Sequence, residues 1–226
     1  MQGTELNKLW EKLVRQFRDF YRYTDSAHRM DHINSVKSNA IRIAYMLGQT
    51  EHLKLILIAV AAHDIFSTKE DRASHHIKGY SWILDNKPVL KRKYKLTDDE
   101  CLTIAHAVLE HRSSHKGNYN GIVSEIVAAA DRGIPSVDDV SNYMHRSYLF
   151  AREQGKSKGD AKFHAVGHVQ QKFGRNGVSN VPSWYGTLFA ERILERRDFV
   201  EQLDISYFTD TIIDDLEARL SHDYSH

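Results

Sequence analysis

Four residues of this chain combine suitable chemical types with a suggestive placement: His32, His63, Asp64 and Asp131. His63 and Asp64 close an apolar run from Leu53 to Ala62 that only Lys54 interrupts, and open onto a polar stretch ending at Glu70. An imidazole beside a carboxylate at the end of a buried helix loses hydration unless something compensates both groups, and a metal ion is one such compensator. Asp131 ends a second apolar run, Ile122 to Ala130, in the same way, and His32 stands at the start of a third periodic segment. Ends of packed helices can converge where helix middles cannot. Two imidazoles and two carboxylates suit Mn²⁺, Fe²⁺, Co²⁺, Ni²⁺ or Mg²⁺ better than a zinc site built of thiolates, and leave positions open for water and a substrate oxygen. Read one at a time these residues have plainer roles: His63 capping a helix end, Asp64 capping the next helix, Asp131 in an ion pair with Arg132.

The chain has 14 histidines, scattered from His28 to His226 and not gathered in a tag. Arg112, His115 and Lys116 follow His111 in a turn-rich loop, where they suit either phosphate oxygens or solvent. His164 and His168, four apart, share a helix face near Lys172 and Arg175 with no carboxylate motif beside them, and read as surface or as one rim of a substrate pocket. Trp184, Tyr185, Phe189 and Phe199 are most simply core.

The elements that must position these groups are helices. Apolar residues recur at steps of three and four, strand-like alternation is nearly absent, and Pro is confined to positions 88, 135 and 182, so the fold class is all-α. Helices are expected from Leu6 to about Tyr23, Met30 to Leu47 with Gly48 just past the end, Thr50 to Ala62, and Thr68 to Leu84. The last follows from a capping box at Ser67 and Glu70. A second capping box, Thr97 and Glu100, opens a helix to His111, and the run from Ile122 follows it. Further helices are expected from Ser136 past Phe150, around Phe163 to Phe173, from Trp184 to Leu203 and from Thr211 to Leu220.

Composition is that of an ordinary globular chain: 226 residues, 41% hydrophobic and 27% charged. With 31 Lys and Arg against 30 Asp and Glu, the formal charge of +1 gives no global signal for nucleic acid or an anionic membrane. The single cysteine, Cys101, forms no intramolecular disulfide, Met1 to Asn7 lacks a signal pattern, and the longest apolar run is too short for a bilayer, so a cytoplasmic location without a membrane anchor is the default expectation. One domain over residues 1–226 is expected, with a metal-site core over about 25–135 and a helical extension over about 136–226.

The order His, then His-Asp after an Ala-rich apolar helix, then Asp within Ala128 to Arg132, resembles the HD superfamily of metal-dependent phosphohydrolases. The stretch from His28 through Asp31 and His32 to Val36 is similar to that family's opening motif, which makes His32 the first ligand and His28 a near neighbour. His75 followed four residues later by Gly79, and the helix from Ile104 to His111, are similar to segments that hold a second ion in two-metal members. The resemblance thus implies a compact HD-like bundle with extra C-terminal helices and one or two divalent ions. His32, His63, Asp64 and Asp131 would be ligands, and His75 or His76 with His106 or His111 would hold a second ion, His75 and His111 being the preferred pair. Alternatively these imidazoles, protonated, contact a substrate phosphate.

The activity implied is hydrolysis of a phosphate ester or phosphoanhydride of a small molecule, such as a nucleotide, with Asp64 and His63 at the reacting centre and Lys78, Arg112 or Lys116 neutralising charge. The chain lacks the glycine-rich signature of the cyclic-dinucleotide phosphodiesterases and the Glu-Asp pair of the alarmone hydrolases. Two other readings are a di-iron oxygenase on the same fold and a catalytically idle domain that binds a nucleotide or a protein.

Overall fold

A helix that is apolar on every side must be buried on every side, and α3 (Leu53–Ala62) meets that requirement, with nine of its ten residues buried. The exception, Lys54, carries its ammonium out to donate to the Lys95 carbonyl at 3.0 Å. Around α3 pack α1 (Gly3–Tyr21), α2 (Met30–Met46), α6 (Asp98–Glu110) and α7 (Ile122–Arg132). The structure is a computed structural model and describes residues 3–24, 30–68, 70–175 and 180–223. Among the described residues there is no strand, so the fold is all-α.

Chain contacts group into two compact units, Met1–Ile134 with Asn180–Tyr185, and Pro135–Ser179 with Gly186–His226. In the first, the remaining helices are α4 (His75–Asp85) and α5 (Lys87–Tyr94). In the second, α8 (Val137–Glu153) and α9 (Lys158–Phe173) form an antiparallel pair, each opened by a serine whose hydroxyl accepts from the third residue of the helix. Their shared core holds Met144, Tyr148, Ala165 and Val169, with Val200 from α11 (Ala190–Gln202) and Leu216 from α12 (Asp210–Asp223). Tyr148 and Arg152 both donate to the Glu217 carboxylate, the guanidinium to both oxygens at 2.7 and 3.0 Å. His168 stacks edge-on against Tyr143 in this unit.

Three elements differ from expectation. The helix expected from Thr68 begins only at His75. The Thr68 hydroxyl does accept from Asp71 N–H at 3.2 Å, but it caps a turn that runs through Ser74 and is not continued. The helix α5 carries Pro88 in its first turn and ends at Lys95, whose left-handed backbone (φ 52) stops it; it is not expected from the sequence, since only Leu90 and Tyr94 of its eight residues are buried and they make no periodic run. The single helix expected from Trp184 to Leu203 is interrupted at Phe189, giving α10 (Ser183–Leu188) and α11. Elsewhere boundaries agree to within a few residues, including the Thr97 to Glu100 capping box with both reciprocal bonds and Gly48 at φ 67.

Candidate metal centre

Three helices end at one place. Asp64 lies two residues past α3, His111 caps α6, and Asp131 occupies the last turn of α7. The C-terminal end of a helix carries partial negative charge from its aligned peptide dipoles, so three such ends make a region that favours a cation before any side chain is counted. His32 reaches it from the first turn of α2, and His75 from the first residue of α4.

The side chains fall into two groups that meet at Asp64. In the first, His32 Nε2 lies 3.2 Å from Asp131 Oδ1, and His63 Nε2 lies 3.1 Å from Asp64 Oδ2. His32 Nε2 is also 3.5 Å from that same Asp64 oxygen. In the second, Asp64 Oδ1 lies 3.1 Å from His75 Nε2 and 3.4 Å from His111 Nε2, and the two imidazole nitrogens are 3.0 Å apart. His32, His63 and Asp131 form one set of donor atoms able to surround an ion, and Asp64, His75 and His111 another. Neighbouring ligands about 2.1 Å from one ion at right angles are separated by about 3 Å; the second set lies at 3.0–3.4 Å, and in the first His32 and Asp131 are 3.2 Å apart while His63 and Asp131 are wider, at 3.9 Å.

Local hydrogen bonds fix the orientation of three of these rings. Nδ1 of His63 faces the Val60 carbonyl at 2.8 Å, Nδ1 of His75 the Arg72 carbonyl at 2.8 Å, and Nδ1 of His111 the Val108 carbonyl at 2.6 Å. A carbonyl only accepts, so each Nδ1 carries the proton and Nε2 is the nitrogen left to bind. For His75 and His111 two such nitrogens then face one another, an arrangement that needs a proton or a cation between them. The turn at 71–74, which takes the place of the expected helical turn, supplies the Arg72 carbonyl.

Charge follows the same pattern. Burial alone would lower the His63 pKa, but the Asp64 carboxylate, with Asp131 behind it, lifts it to about 9. Burial takes His111 down to about 4, partly opposed by Asp64. For Asp131 burial works against ionisation, yet the Arg132 guanidinium, with His32 and His63, holds its carboxyl well below the usual range. Asp131 therefore plays both parts: Oδ2 is 3.0 Å from Arg132 Nη1 while Oδ1 faces His32.

Of the other candidates, His76 is adjacent in sequence but outside both donor sets. Burial, then the charges of Arg112, His75 and His115, depress its pKa to about 4. His106 lies against Tyr80 and 3.6 Å from Glu110, also outside both sets. Arg112 donates to the Ala73 carbonyl at 2.7 Å, Lys78 pairs with Asp71 at 2.5 Å, and Lys116 is exposed. His28 lies outside the described residues, and neither His164 nor His168 joins a donor set among the described residues.

Several supporting groups carry no signature in the sequence. The Tyr21 hydroxyl donates to the Ala61 carbonyl at 3.0 Å, Asn39 to Ala130 at 3.3 Å, and Tyr185 to Gly133 at 2.6 Å, so the carbonyls at the ends of α3 and α7 are satisfied from other segments. Buried Glu110 accepts from the Asn120 N–H at 2.8 Å and from its side-chain amide, closing the loop that follows His111. No local pattern in the sequence marks these bonds, since each joins distant segments. Buried His and Asp groups thus stand ready to hold a metal ion. No family model matches this chain, and neither curated proteins nor solved structures match it.

Proposed function

We propose that this chain is an HD-type metal-dependent phosphohydrolase that holds two divalent ions across Asp64 and hydrolyses a phosphate ester or phosphoanhydride of a small molecule, a nucleotide being the first class to test. The observation that carries the reading is the division of one buried carboxylate between two sets of imidazoles, Oδ2 toward His63 and Oδ1 toward His75 and His111. Divalent ions bound there would supply polarisation of a phosphoryl oxygen and a water acidic enough to attack near neutral pH. His32, His63 and Asp131 would hold one ion, His75 and His111 the other, and Asp64 both. An all-nitrogen-and-oxygen donor set suits Mn²⁺, Fe²⁺, Co²⁺, Ni²⁺ or Mg²⁺.

The chain's own groups suit an anionic substrate. His63 and His111 are almost sealed, whereas Asp131, with 13% of its side-chain surface in solvent, is the most exposed of the six donor residues. Burial, and then the charges of Arg112, His75 and His115, hold His76 at about 4, and a phosphate group bound there would offset that positive charge.

The test is a phosphate-release screen of nucleotides and phosphomonoesters with Mn²⁺, Mg²⁺, Co²⁺ and Ni²⁺, with Asp64→Ala as control. Turnover that the substitution abolishes supports the proposal, and silence across the panel counts against it. The same four imidazoles and two carboxylates also suit a pair of irons that activate oxygen. Iron-dependent oxygen consumption without phosphate release would select that reading instead.

A further inference from the structure

Arg132 is an odd neighbour for a cation site. Its side chain is 4% exposed, and it brings a fixed positive charge next to Asp131, where repulsion should weaken the binding of any divalent ion. Its geometry offers a reason for its presence. Nη1 holds Asp131 Oδ2 at 3.0 Å, while Nη2 donates to the backbone carbonyl of His111. Asp131 belongs to the first donor set and the His111 ring to the second. That ring is in turn tied to its own helix through Nδ1 and the Val108 carbonyl, so fixing the His111 backbone fixes where Nε2 points. One rigid, planar fork therefore spans the ends of α7 and α6.

We propose that Arg132 is a positioning residue that sets the two donor sets in register, orienting Asp131 with one nitrogen and anchoring the end of α6 that carries His111 with another. The inference rests on the two-ion reading above. A lysine cannot replace the fork, because one ammonium does not reach two acceptors with fixed geometry.

The experiment measures Mn²⁺ binding to the full chain by calorimetry and magnetic coupling between bound ions by electron paramagnetic resonance, for the wild type, Arg132→Gln and Arg132→Lys, with far-ultraviolet circular dichroism reporting the fold. Outer groups that orient ligands typically change metal affinity by about 10- to 100-fold. Arg132→Gln is expected to weaken binding by at least about tenfold and to replace the coupled spectrum with that of isolated ions. Arg132→Lys, the variant that decides if the glutamine chain does not fold, is expected to regain affinity for the first ion without regaining the coupling. Wild-type affinity with a coupled spectrum in either variant overturns the inference alone. A wild-type chain that fails to bind two Mn²⁺ ions removes the two-ion reading and this inference together.

Discussion

Asp64 carries more of this site than any other side chain, because its two oxygens face two different sets of imidazoles. Asp64→Asn keeps the shape and removes the charge, and we expect it to abolish binding of both ions, whereas His75→Ala should leave the first; titration with Mn²⁺ monitored by calorimetry distinguishes one lost site from two. Proton release supplies a second prediction. Without metal, burial works against the charged His63 ring but Asp64 and Asp131 hold its pKa at about 9. That raised value stabilises the metal-free chain fully below the unfolded value of about 6.5 and is lost as pH rises through about 9. Metal binding runs the other way, since Nε2 must lose its proton first. Burial holds His111 at about 4, so the proton displaced at the second set is the one that joins the facing His75 and His111 nitrogens. From His63 alone, Mn²⁺ affinity should rise about tenfold per pH unit up to about 9 and then level off. Calorimetry in buffers of different ionisation enthalpy measures the released proton directly, and a pH-independent affinity between 6 and 8 would contradict the assignment.

Helix placement decides whether these side chains meet, and Gly79 shows how little slack there is. A Cβ at Gly79 would lie 2.6 Å from Val108 Cγ1, so α4 and α6 approach more closely than any side chain at 79 permits. Val108 is fully buried and β-branched, with one strongly preferred rotamer in a helix, so it cannot swing aside. Gly79→Ala should destabilise the fold by about 1–3 kcal/mol. Because His75 and His111 ride on these two helices, it should also weaken the second ion more than the first; urea unfolding and Mn²⁺ titration of the same variant check both. Most helices were readable in the sequence because periodicity and caps are local: the buried run of α3, the Thr97 capping box and the Gly133 stop are all written in consecutive residues, whereas the short α5 and the break at Phe189 carry no such local mark. His63, Asp64 and Asp131 stood out for the same reason, each at the end of an apolar run, and His32 at the start of a periodic segment. What adjacent residues do not encode is which ends meet. The resemblance favoured His75 over His76, but nothing in the adjacent residues themselves does so, because their difference depends on the turn at 71–74 that directs one ring inward. Arg132 could be read as an ion-pair partner of Asp131, but not as a donor to a carbonyl 21 positions away.

At the scale of the whole chain, the first unit is not a continuous stretch. After Ile134 the chain leaves it, and residues 180–185 return to it before the chain departs again. No described helix is long and apolar enough to cross a membrane. The returning segment bonds to two of the segments that follow ligand residues, those after His111 and Asp131. Asn180 donates to the Ser113 and His115 carbonyls at 3.2 and 2.8 Å, and Tyr185 donates to Gly133 two positions after Asp131. Trp184 adds a bond to Glu125 within α7 at 2.6 Å. A chain ending at Ile134 would retain every metal ligand and lose all of these contacts, and Tyr185→Phe would remove only the bond to Gly133. Leaving one buried acceptor unpaired costs about 1–3 kcal/mol, so Tyr185→Phe should fall by that amount in urea unfolding. The shortened chain should fall further and bind Mn²⁺ more weakly despite its intact ligand set. If it instead matched the full chain in both stability and affinity, residues 180–185 would be a passing segment and not part of the frame that holds the site.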